Sequence, residues 1–150
     1  MLRFLPFVCV LAFAQDPKLM VGGDVAHPLT LSRSDLASMP RSSATAGERQ
    51  KVKYDGVLLY EILKRAGAPL DKELTGKALS TYILADASDG YQALFAIAEV
   101  DPAFSDANIL IADTADGKPL DAYRVVVPSD KKGARSVRML ERITVVRLKK

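Results

Sequence analysis

The chain has 150 residues, 49% of them hydrophobic and 26% charged, with a formal net charge of +3. That length and composition build one ordinary globular domain around one core, and they exclude the disordered, collagen-like and repeat-array classes. The net charge is too small for a general nucleic-acid binder, which carries a strongly basic surface.

Residues 1–14, MLRFLPFVCVLAFA, hold one basic residue, Arg3, ahead of an uncharged apolar run from Phe4 to Ala14. The run is too short to span a bilayer as a helix. Its order of charge, apolar core and Ala12-Phe13-Ala14 predicts a secretory signal peptide cut before Gln15, with a buried N-terminal strand as the alternative. The expected location is secreted or periplasmic, without a stable membrane anchor. Cys9 is the one cysteine and would leave with the leader, and Val8 before it argues against lipid attachment. A mature chain of this kind has no disulfide, no thiolate metal ligand and no cysteine nucleophile.

Leu19 to Val21 and Leu29 to Leu31 flank a Gly22-Gly23-Asp24 turn and predict two short strands. SRSDLASMP (32–40) has capping serines, Leu36 and Met39 three apart, and Pro40 as a stop, which predicts a short helix. RSSATAGER (41–49) is small and polar and reads as a loop. YDGVLLYEILKRAG (54–67) places Leu59, Ile62, Leu63 and Ala66 on one helical face, ended by Gly67 and Pro69. ALSTYILAD and GYQALFAI predict a hairpin turning at Asp89-Gly90. AEVDPAF reads as a turn or short helix, NILIAD as a buried strand, TADGKPL as a second Asp-Gly turn, and YRVVVP as a strand closed by Pro128. ERITVVRLKK reads as a terminal strand whose charged ends discourage edge pairing. Strands outnumber the few scattered helices, so the expected fold is α+β: a single domain, about residues 18–150, with a mixed or mainly antiparallel sheet.

His27, the one histidine, precedes Pro28 in a turn and has no visible catalytic partners. No HExxH, EF-hand, CxxC, GxSxG, GxGxxG or P-loop spacing occurs, so no catalytic or metal-ligating residue is assigned. KKGARSVR (131–138) gathers Lys131, Lys132, Arg135 and Arg138 without an acidic or aromatic residue, which also argues against single-stranded nucleic acid. Gly133, the Ser136 hydroxyl and the two arginines can hold an oxyanion through amides and guanidinium forks. A solvated surface loop is the other reading, and charge clustering alone favours it.

The order of pieces from VGGDVAHPLTLSRSDL, through YDGVLLYEILKRAG, DGYQALFAIAEV and ILIADTADGKPL, to YRVVVPSDKKGARSVRMLERITV resembles the molybdopterin-binding domain of sulfite-oxidase-type oxidoreductases. The resemblance covers nearly the whole expected mature chain and is most specific at GARSVR. It implies that Arg124, Gly133, Ala134, Arg135, Ser136 and Arg138 hold the pterin and its phosphate, with Arg138 standing where a lysine is usual. Three departures qualify the expected activity. The family's catalytic members bind the metal through a cysteine, which the mature chain lacks; the histidine-glycine pair usual before the arginine is missing from KPLDAYR; and the leader has a single arginine where cofactor-loaded proteins travel behind two. The expectation is an exported, non-redox member of the fold that binds an anionic small molecule or another periplasmic protein, with no molybdopterin bound. A genuine molybdenum enzyme and a structural or assembly module are the alternatives.

Overall fold

In a computed structural model describing residues 15–149, the elements run β1 (Leu19–Gly23), β2 (Leu29–Leu31), α1 (Arg33–Ala37), β3 (Ser42–Ala46), β4 (Val52–Leu58), α2 (Leu59–Arg65), β5 (Thr81–Ala87), β6 (Gln92–Ala96), α3 (Ile97–Val100), β7 (Leu110–Ala115), β8 (Lys118–Val126) and β9 (Leu140–Arg147). The expected leader, with Cys9, lies outside the described residues. Among the described residues no helix is long and apolar enough to cross a membrane.

The strands form a curled sheet with two arms. One arm runs β2-β1-β9-β5-β6 and the other β3-β4-β7-β8. They meet where β8 and β9 share a single residue pair, Tyr123 with Leu140. β1 and β9 run parallel and every other pairing is antiparallel, so the sheet is mixed, as an α+β domain with few short helices should be.

The inner faces of both arms close on α1 and α2 to make the main core, where Val21, Leu36, Ile62, Ile83, Phe95, Ile111, Val125 and Val145 pack together. α1 starts at a capping box in which Ser32 and Asp35 each accept from the other's backbone amide. α2 buries Leu59, Ile62 and Leu63, the stripe that the periodicity anticipates. A smaller cluster of Tyr54, Leu110, Ala112 and Val126 lies apart from this core in the second arm.

Three readings of the sequence change. The 41–49 segment contains β3, which pairs residue for residue with β4 from Ser42↔Gly56 to Ala46↔Val52. An edge strand of small polar residues carries little β signal of its own and is held by its neighbour's ladder. The stretch expected as helix from Tyr54 remains strand until Leu58. Gly56 explains why: a Cβ there would lie 2.0 Å from the Ile111 carbonyl oxygen, so a β4–β7 contact that only glycine allows fixes the segment in the sheet. The terminal strand β9 is an interior strand between β1 and β5, its Leu140, Ile143 and Val145 buried.

Asp113 sits at the β7 bulge and is only 7% exposed. Arg41 forks onto both of its carboxylate oxygens at 2.7 Å. Burial pushes the Asp113 carboxyl upward, but the bonds from Arg41 and Thr114 and the Arg33 charge outweigh it and hold the group below its ordinary value. A depressed acid stabilises the fold above its unfolded pKa and loses that contribution as the pH falls through the folded value. Urea unfolding should therefore show stability falling below about pH 4, with a shallower fall in Asp113→Asn. At neutral pH Asp113→Ala should cost about 2 kcal/mol, less than a fully buried pair because Arg41 can turn to water.

Candidate functional site

A cavity of about 800 Å³ opens between the β3–β4 hairpin and the loop that follows β8. Its floor is the second arm's sheet, through Val52, Tyr54, Arg124 and Val126. One wall is the hairpin tip, Gly47 to Lys51, and the other runs from Val127 through Lys131, Lys132 and Gly133 to Ser136 and Arg138. Gly47 has φ +134 and a Cβ there would lie 2.0 Å from the Gln50 carbonyl oxygen, so the tip requires glycine.

The β8–β9 loop is pinned by Val137, which is fully buried and whose carbonyl accepts from the Val125 amide at 2.9 Å. Because Val137 points inward, its neighbours Ser136 and Arg138 line the cavity. The lining brings together six basic side chains, Arg49, Lys51, Arg124, Lys131, Lys132 and Arg138, against two acids, Glu48 and Asp130.

Arg124 is the unusual one. Its guanidinium lies 5.3 Å from the centre of the Tyr54 ring, and its Nε is buried without a hydrogen-bond partner. Burial pulls its pKa down and the Arg138 charge adds to the fall, while Tyr54 opposes it. A half-buried cation that meets another cation and no carboxylate is costly unless something negative completes it.

Arg135 takes a different place. Its Nε and Nη2 donate to both oxygens of Asp130 at 2.9 and 2.8 Å, and its Nη1 donates to Glu99 at 3.0 Å. It also covers the face of buried Phe95 at 4.8 Å. The Asp130 bonds, followed by those from Glu99, hold its pKa above the ordinary value despite burial. Its donors are thus spent on closing the loop against β6 and α3. Ala134 is outside the lining as well, its carbonyl accepting from the Tyr91 hydroxyl. Of the six residues implied by the resemblance, Arg124, Gly133, Ser136 and Arg138 meet at the cavity. Sequence reasoning missed Tyr54 and the hairpin-tip cations Arg49 and Lys51, which lie about 80 positions along the chain from the basic loop. The one available signal was GERQK itself, a glycine followed by polar residues with two cations. His27 is exposed and away from the lining, its amide bonded to the Ala66 carbonyl.

The orphaned Arg124 Nε and the surrounding cations suit the anionic end of a molybdopterin. A protein ligand set for its metal is another matter, since no group of three or more His, Cys, Asp or Glu residues among those described could hold an ion. The chain's one cysteine is Cys9.

Among solved structures, the sulfane dehydrogenase SoxCD from Paracoccus pantotrophus is similar to this chain with a TM-score of 0.69 at 22% identity, a likeness of fold. The match covers 89% of this chain and 39% of that one. No curated protein matches the chain. The family model described as the oxidoreductase molybdopterin binding domain matches residues 43–150. That span takes in both walls of the cavity and its floor, and the chain belongs to the oxidoreductase molybdopterin-binding domain family.

Proposed function

We propose that this is an exported, non-redox member of the family that binds a phosphate-bearing anionic small molecule in the cavity over Tyr54. The observation that carries the reading is Arg124, a cation with a buried unpartnered Nε facing a basic cavity. Arg124 and Arg138 would grip the anion through their forks, Ser136 would donate its hydroxyl, and Lys131 and Lys132 would add mobile charge at the rim. If the guest is a molybdopterin, the same residues would hold its phosphate end, and the bound group would supply the two-electron chemistry of its metal. Export is supported by the charge, apolar run and small-residue ending of residues 1–14. The non-redox reading is supported by the lack of any cysteine after Cys9 to serve as the family's thiolate.

Family membership favours a second reading, a molybdenum-dependent oxidoreductase domain whose metal is held without a protein thiolate. Metal analysis and pterin fluorescence on protein purified from its exported form separate the two. Neither molybdenum nor pterin is expected, and stoichiometric amounts of both would overturn the non-redox reading.

Calorimetric titration with inorganic pyrophosphate tests the pocket directly. Wild-type protein should bind, and the Arg124→Ala, Arg138→Ala double variant should bind at least about tenfold more weakly, with a smaller salt dependence. Equal binding by the two proteins would sink the assignment.

Thermal unfolding gives an independent signature. Arg135→Ala should lose about 2 kcal/mol, because it leaves Asp130 and Glu99 without their partner and uncovers Phe95. Arg124→Met should lose no stability, since it removes a desolvated cation that nothing balances.

A further inference from the structure

We infer that Glu48 is a built-in competitor for the anion pocket, a latch whose carboxylate holds the Gly133 amide until a ligand displaces it; this rests on the anion-binding reading above. Glu48 sits at the hairpin tip directly after Gly47, and its Oε1 accepts from the Gly133 amide at 2.8 Å. Gly133 opens the 3-10 turn Gly133–Arg135 in the opposite wall, so this one bond joins the two lips of the cavity. Of the two acids in the lining, Asp130 is committed to Arg135, whereas Glu48 makes no ion pair among the described residues. A negative oxygen therefore occupies a backbone donor of a basic cavity.

The bond is exposed, and an exposed charge on an amide is held weakly and opens readily. Until it opens, the carboxylate partly cancels the field of the surrounding cations and covers a donor that an incoming oxyanion could use. A bare tether between two loops would have the same bond but no electrostatic consequence for binding. Glu48→Gln distinguishes the two roles, because glutamine retains an acceptor for Gly133 and drops the charge, while Glu48→Ala drops both.

The experiment is calorimetric titration of inorganic pyrophosphate into wild type, Glu48→Gln and Glu48→Ala, with the Gly133 amide followed by NMR in the wild type. Both variants should bind roughly fivefold tighter than wild type, and the wild-type Gly133 resonance should shift during the titration as one anion replaces another. Wild-type binding with unchanged or weaker affinity in Glu48→Gln would overturn the latch and leave the pocket standing. Absence of binding in all three proteins would overturn the pocket reading, and the latch with it.

Discussion

β8 and β9 touch through one residue pair, and the rest of the architecture depends on how briefly they do so. Tyr123 is fully buried at that point, its hydroxyl donating to the Pro17 carbonyl at 2.9 Å and its pKa pushed up to about 12, chiefly by burial. On either side of it β8 pairs antiparallel with β7, at Lys118 and Pro119 and again from Arg124 to Val126, while β9 goes on between β1 and β5. The chain between them returns alongside β8, where the Val125 amide donates to the Val137 carbonyl. Met139, with φ +53, then redirects it into β9. Two arms that diverge in this way enclose the main core on one side. They leave the Tyr54 and Arg124 side of the second arm to be roofed by loops, and that is where the cavity forms.

The arginines of the chain separate by what completes them. Arg41 and Arg135 each fork onto a carboxylate, and each joins segments distant in the chain or closes a loop. Folding alone accounts for both, because the ion pair offsets the cost of removing the cation from water. Arg124 has no such account. The strand alternation that buries Tyr123 and Val125 in the main core turns Arg124 to the other face, against Tyr54. A ring face returns only part of what desolvation costs. Stability would be served as well by an apolar residue there, so folding alone gives no reason for a cation at this position.

Much of this was legible in the sequence where the signal is local. The helical stripe Leu59, Ile62, Leu63, the Ser32 cap, and the turns at Asp89-Gly90 and Asp116-Gly117 each rest on residues a few positions apart. The failures share the opposite property. β3 exists because β4 lies beside it, Gly56 is strand because Ile111 crosses close to it, and β9 is interior because β1 and β5 flank it. The site divides in the same way. The basic loop is contiguous and visible as a charge cluster, but the chain gives no sign that Glu48 and Gly133, 85 positions apart, face each other. Nor does it reveal that Arg135 is neutralised, although Asp130 stands only five residues before it.

The division between anion binding and metal chemistry also follows from where the residues lie. Holding a phosphate needs cations and amides, and these come from the β3–β4 tip, from β8 and from the loop after it, all within residues 43–150. Holding a metal by thiolate needs a cysteine, and no segment within the same span carries one. The two requirements draw on different side chains, and nothing in the packing of the cavity floor links them. The Tyr54–Arg124 floor and its cationic walls form without any contribution from a thiolate, because the scaffold that aims Arg124 is the β7–β8 ladder itself, which the main core stabilises.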